Sequence, residues 1–218
     1  MSLPPLTTTE TRVLGVLVEK ETTVPDTYPL SLNALAAGCN QKNNRDPVMN
    51  ATEAEVQAAI DRLRPLSLVI ESSGSRVMRY SHNVQRVLRI PSESVALLAT
   101  LWMRGPQTAA ELRAASERLH RFADVSSVEG YLEQLAQRAE DDGGPLVVLL
   151  PRSPGSRESR WAHLLSGAPA AQPATAHANA PVAAPEGLEE LRAELARLKA
   201  EVAELRVRIE RIELGRED

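Results

Sequence analysis

A chain of 218 residues with 25% charged and 43% apolar residues has a globular composition and room for two small domains. A net charge of −4 excludes a strongly basic nucleic-acid binder, and the single cysteine, Cys39, excludes an intrachain disulfide framework. The opening Met1-Ser2-Leu3-Pro4-Pro5 lacks the basic start and apolar core of a signal peptide, and no apolar run is as long as a membrane span, so a cytoplasmic location is expected. The charge is uneven: residues 1–167 hold 18 Lys+Arg and 19 Asp+Glu (−1), and residues 168–218 hold 7 and 10 (−3).

Thr7-x-x-Glu10 is a capping box, and the helix it opens carries Val13, Leu14, Leu17 and Val18 as an apolar stripe. Residues 22–29 read as a loop, because Pro25 and Pro29 bias the residues before them away from helix. Ser31 is positioned to cap a second helix, with Leu32 and Leu35 inward and an end near Gly38. Cys39, beside Leu35 and Ala36, reads as a buried structural thiol. After the polar loop Asn40 to Asp46, Thr52-x-x-Glu55 opens a third helix with Val56, Ala59, Ile60 and Leu63 as its core face. Pro65 ends it. Leu68-Val69-Ile70, a Gly74-Ser75 turn and an alternating run to His82 then predict a β-hairpin.

Residues 83–90, with Val84, Val87 and Leu88, read as a short docking helix. The earlier order then recurs. Ser92 is the expected cap of a helix carrying Leu97, Leu98, Leu101 and Trp102, and Gly105-Pro106 breaks it. Thr108-x-x-Glu111 opens a short helix containing Leu112. Ser126-x-x-Glu129 is the expected start of another, with Val128, Leu132 and Leu135 inward. Leu146 to Leu150 leads into a second hairpin. The offset between the halves is 84 at the first helix, 77 at the second, 72 at the third and 81 at the hairpin.

The hairpins share a run at identical spacing: Gly74, Ser75, Arg76, Arg79, Tyr80 and His82 against Gly155, Ser156, Arg157, Arg160, Trp161 and His163. Period two puts Arg76, Met78, Tyr80 and His82 on one strand face, and Arg157, Ser159, Trp161 and His163 likewise. Arg79 and Arg160 fall on the opposite face. Helix–helix–helix–hairpin, twice, is the winged helix-turn-helix plan. The expected fold class is mainly α with small β-hairpins (α+β), with winged-helix domains at 1–90 and 91–166.

Residues 167–187 are an Ala/Pro-rich linker, up to ~60 Å long if extended. A heptad helix follows at 188–214, with a positions Leu188, Leu195, Val202 and Ile209 and d positions Leu191, Leu198, Leu205 and Ile212. In a parallel pair, Glu194 meets Lys199, Glu201 meets Arg206 and Arg208 meets Glu213, all attractive, so a parallel homodimer is expected. A helix folded back on its own domains is the alternative.

Five runs carry a family resemblance: Tyr28-Pro-Leu-Ser-Leu-Asn-Ala-Leu35, Cys39-Asn-Gln-Lys-Asn-Asn-Arg45, Pro47-Val-Met49, the run from Arg104 to Arg113, and the run from Pro151 to Leu165. Together they resemble the YceH family of bacterial proteins, to which no activity is assigned, over about residues 6 to 167. The resemblance implies paired winged-helix domains, and no substrate, cofactor or catalytic residue.

No enzyme motif is present: no Gly-rich phosphate loop, no Cys pair, no His-Glu-x-x-His. No cofactor, metal site or catalytic residue is expected. His82 and His163 read either as a metal or proton-switch pair or as hydrogen-bonding groups of their own hairpins. Tyr80 and Trp161 read either as base-stacking rings or as core. The third helices expose Glu53, Glu55, Gln57, Ala58 and Asp61, and Glu129, Glu133, Gln134 and Gln137, which counts against major-groove docking. The basic candidates for contact with DNA or a partner are Lys42, Arg45, Arg76, Arg79, Arg86, Arg89, Arg152, Arg157 and Arg160. The expected function is a non-enzymatic, DNA-binding or transcription-associated regulator that uses wings and loops. The alternative is a protein-interaction scaffold without direct DNA binding.

Overall fold

A computed structural model describes residues 3–73, 77–152 and 158–167. Arg76, Arg157, most of the expected linker and the heptad helix lie outside the described residues. The chain divides into two units, Met1–Ala171 and Gln172–Asp218, and the described residues all belong to the first.

Among the described residues the fold is mixed α/β, with seven α-helices and two small antiparallel sheets. The first half contains α1 (Thr8–Thr23), β1 (Leu30–Ser31), α2 (Leu32–Cys39), α3 (Glu53–Leu63), β2 (Val69–Ser73) and β3 (Met78–His82). α4 (Val84–Leu88) connects it to α5 (Ser92–Arg104), α6 (Ala109–Ser116), α7 (Val125–Ala136), β4 (Val147–Leu149) and β5 (Trp161–His163). The helices and both hairpins stand in the order that the sequence predicts. One turn of 3-10 helix, Pro25–Thr27, sits in the expected loop.

The sequence gives no sign of β1. It pairs with β3, Leu30 opposite Tyr80, so the first sheet has the order β1-β3-β2. The second half has its counterpart in a single bridge between Gln107 and Trp161. Residues 30 and 107 differ by 77, the offset of the second helices, and Tyr80 and Trp161 are the matched aromatics of the repeat. The N-caps keep the same offsets: Thr7, Ser31 and Thr52 correspond to Pro91, Thr108 and Asp124.

Two helix starts differ from expectation. Ser92 is the first residue of α5 rather than its cap; Pro91 holds the cap position and no side chain caps the helix. α7 begins at Val125, capped by Asp124, whose carboxylate accepts from the Ser127 N–H. Asp124 and Ser127 close a capping box there, with the cap two residues before the expected Ser126.

α1 is buried on every side from Glu10 to Val18. A helix buried all round belongs inside a core, and α1 packs on α2, α3 and β3 as well as on α5. Two glycines permit the close approach. A Cβ on Gly15 would lie 2.8 Å from the Met103 Cγ and 3.3 Å from the Ala99 carbonyl oxygen of α5. A Cβ on Gly38 of α2 would lie 2.5 Å from Cγ1 of Val16. α5 is likewise buried from Ser94 to Met103, so the two halves share one core.

Gly15→Val is expected to destabilise the fold by about 2 kcal/mol, since extra methyls forced into a filled core cost ~1–3 kcal/mol. The measurement is the urea unfolding midpoint; an unshifted midpoint would contradict the close contact.

Candidate nucleic-acid interface

The shared hairpin run does structural work in both halves. Arg79 Nη1 donates to the Pro29 carbonyl at 2.8 Å and to the Thr27 carbonyl at 3.2 Å. Arg160 Nη1 donates to the Pro106 carbonyl, also at 2.8 Å, and its Nη2 pairs with Glu111 at 2.9 Å. Pro29 and Pro106 are equivalent at the offset of 77, so the repeated arginine ties each hairpin to the loop entering the second helix. Arg79 and Arg160, both expected among the contact residues, are thus engaged with their own chain, Arg79 while still exposed. The aromatics are core: Tyr80 is 4% exposed and donates its hydroxyl to Gln57 at 3.1 Å, and Trp161 is buried.

Arg45, expected on the surface, is not there. It points inward, with its side chain fully buried, and pairs with Glu19 at 2.6 Å. It also donates to the Gly38 and Asn44 carbonyls and to Gln41 Oε1. The amides of this loop are also engaged. Asn40 bonds the backbone of Ala51 in both directions, and Asn44, at φ 61°, accepts from Arg104 Nη2 at 2.6 Å. Lys42 and Asn43 remain on the surface. The sequence offered no signal separating Arg45 from Lys42, because both stand in the same polar run. Arg12 was missed altogether: it is buried in α1 and donates to the Cys39 and Pro47 carbonyls at 3.2 and 2.8 Å.

Three further candidates among the described residues, Arg86 on α4, Arg89 just after it and Arg152 between β4 and β5, face solvent. The side chains of Arg86 and Arg89 make no ion pair or hydrogen bond to other described residues. From Ser72 to Ser92 the chain holds no carboxylate.

The third helices present acid, as expected. Glu53, Glu55 and Asp61 on α3 and Glu129 and Glu133 on α7 are exposed. The Thr52 backbone N–H, and then its hydroxyl, hold the Glu55 carboxyl below the usual carboxylate range, so it is charged at neutral pH. Gln57, expected outside, is half-buried against Tyr80.

The equivalent histidines have different surroundings. His82 Nε2 meets Glu21 at 2.8 Å, and its Nδ1 faces the Val84 N–H at 3.4 Å. The Nδ1 of His163 is buried without a hydrogen bond, and desolvation pulls the His163 pKa down to about 4. Among the described residues no group of three His, Cys, Asp or Glu side chains converges. Burial pushes the Cys39 thiol up to about 12 despite Arg12 and Arg45 nearby. An open depression of about 750 Å³ at the end of α3 is lined by Asp61, Arg64, Ile70 and Glu71, with Arg64 bonded to Glu71 at 2.6 Å. No described helix is long and apolar enough to cross a membrane.

Fold and surface together define a helical protein with two small antiparallel sheets, whose candidate contact groups are spread over exposed loops and hairpin bases. The chain belongs to the family described as "Protein of unknown function, DUF480", whose model matches residues 6–156. It is 59% identical over 216 residues to a UPF0502 protein of Leptothrix cholodnii, covering 96% of each chain. It is 60% identical over 213 residues to one of Cupriavidus necator, covering 96% of this chain and 86% of that one. A third, from Dechloromonas aromatica, is 58% identical over 205 residues and 94% of both chains.

Arg45→Ala is expected to destabilise the protein by about 3 kcal/mol, because it leaves Glu19 without its buried partner. Lys42→Ala should stay within ~0.5 kcal/mol of the parent. Equal unfolding midpoints for the two variants would refute the distinction.

His163 adds a pH dependence. Its folded pKa lies below the ordinary 6.5, so its contribution is complete above about pH 6.5 and is lost as pH falls toward about 4. Over that window the loss is at most ~1.4 kcal/mol per pH unit. The expected outcome is a flatter stability profile for His163→Leu between those limits; parallel profiles would count against a buried neutral imidazole.

Proposed function

We propose that the chain is a non-enzymatic, transcription-associated DNA-binding protein. In this reading it consists of two winged-helix halves that contact DNA through loops and hairpins rather than through their third helices. The observation that carries the reading is the free basic surface at the base of the first hairpin. Arg86 and Arg89 are exposed in an acid-free stretch of chain, and phosphate neutralisation by such side chains supplies most sequence-independent affinity. Lys42 and Arg152 are further exposed cations, on other loops.

The winged-helix assignment draws support from the doubled order of helices and hairpin, and from the β1 pairing and its Gln107 counterpart. The carboxylates on α3 and α7 would be repelled by phosphates, which directs contact away from those helices. The non-enzymatic reading rests on the buried, protonated Cys39 and on a depression whose charged groups include an ion pair. A parallel coil through Leu188, Leu191, Leu195, Leu198, Val202, Leu205, Ile209 and Ile212 would join two copies and raise avidity by linkage. Light scattering on the intact chain should then give twice 23.7 kDa, and a chain ending at Gly167 should be monomeric.

A protein-interaction scaffold is the second reading, favoured by exposed apolar side chains at Val48 and Ile70, which are 59% and 48% accessible. Duplex binding measured across a salt series separates the two. The DNA reading expects a strong salt dependence, and Arg86→Ala with Arg89→Ala should lower the log–log slope by about 2 for any sequence. Glu53→Gln should leave binding intact. A salt-insensitive chain that instead copurifies with one stoichiometric protein partner would establish the scaffold.

A further inference from the structure

β2 ends the first sheet, and its outer edge is open. The strand pairs with β3 from Val69 opposite His82 to Ser73 opposite Met78, without a bulge. In the same register the Asn83 N–H donates to the Leu68 carbonyl at 2.9 Å. Bonded and non-bonded pairs alternate in an antiparallel ladder. Ile70 and Ser72 therefore bond β3, and the backbone groups of Val69, Glu71 and Ser73 point away from it. The His82 N–H, which donates to the Tyr28 hydroxyl on the β1 side, fits the same alternation. Among the described residues nothing bonds the outward groups. Edge strands are ordinarily guarded by Pro, Lys or a bulge. β2 has none of these, and its one charge, Glu71, is drawn to Arg64 at 2.6 Å.

The depression at the end of α3 runs along this edge. Its lining takes Val69, Ile70 and Glu71 in succession, together with Asp61, Arg64 and Pro65. Successive strand side chains point to opposite faces, so a cavity that touches all three flanks the strand rather than covering one face of the sheet. The two faces differ in chemistry. On one, Ile70 is 48% exposed. On the other, Glu71 shares the Arg64 guanidinium with Asp61, which lies 3.9 Å from it, while Arg62 turns to Glu10. Two carboxylates against one guanidinium leave the lining one negative charge in excess, which opposes a polyanion and suits a basic side chain.

We propose that this edge takes up an extended segment of a partner protein by strand addition. An added backbone satisfies the outward donors and acceptors, and the period of two sets its side chains. The residue opposite Glu71 shares its face and is basic; the residues on either side of it fall on the Ile70 face and are apolar. The partner segment thus alternates apolar and basic residues. It matches the five residues of β2, about 17 Å at ~3.4 Å per residue. The inference uses none of the arginines proposed to meet DNA, and it holds or fails without that reading.

The test uses the intact chain and a fluorescein-labelled Val-Lys-Val-Lys-Val-Lys-Val peptide, with binding read by anisotropy at physiological ionic strength. The peptide is expected to bind, and its counterpart with Glu in place of Lys to bind about tenfold more weakly. Backbone methylation separates strand addition from plain charge attraction. Methyl groups on the Lys amides, which face β2, should abolish binding; the same groups on the Val amides should leave it within about twofold. Ile70→Lys should weaken the peptide about tenfold and, at an exposed position, leave the urea midpoint of the chain unchanged. The proposal is overturned if the Val-Lys peptide does not bind, if the Glu peptide binds equally well, or if binding survives methylation of the Lys amides or the Ile70→Lys change. It is also overturned by an intact chain that is dimeric in light scattering and becomes monomeric on Ile70→Lys, since the edge then belongs to a second copy.

Discussion

The described structure depends on the approach of α1 to α5 at Gly15. With hydrogen in place of a methyl, the first helix lies directly against the Ala99 carbonyl and the Met103 side chain. Both helices thereby lose their solvent faces, and polar groups along them must find partners inside the protein. Glu10 caps Thr7 and pairs with Arg62 at 3.0 Å, Arg12 reaches two carbonyls, and Thr100 returns its hydroxyl to Ala96. An unpaired buried charge is expensive, so the loop carrying Pro47 must come close enough to receive Arg12. The conformation of the polar loop in the first half thus follows from the packing of the two central helices.

The basic residues divide by what they touch rather than by where they stand in the sequence. Arg45, Arg79 and Arg160 end on carbonyls and carboxylates of their own chain; Lys42, Arg86, Arg89 and Arg152 do not enter the core. The clamps recur in both halves because both hairpins need to be held against the helices. The exposed cations have no such counterparts in the other half.

Helix positions and hairpins were legible because each had a local cause: capping boxes at Thr7, Thr52 and Thr108, a break at Gly105, and alternation from Met78 to His82. Other features have causes distant in sequence. β1 is only two residues long and exists because β3 lies beside it. Arg45 is buried because Glu19, on another helix, faces it. The apolar stripe of α1 read as one face, whereas Val16 and Gly15 serve two others, against α2 and α5. Among the basic residues, sequence could not sort clamps from exposed cations, since an arginine carries the same charge in either role.

The polar loop is also fastened to the second half. The Asp46 N–H donates to the Met103 carbonyl at 2.7 Å, and Arg104 holds Asn44. The shared core lies beneath this fastening, so the halves are joined both through the core and across the loop. The separation of the two hairpins is then a fixed length of the molecule. A partner that reached both hairpins would have to match that length.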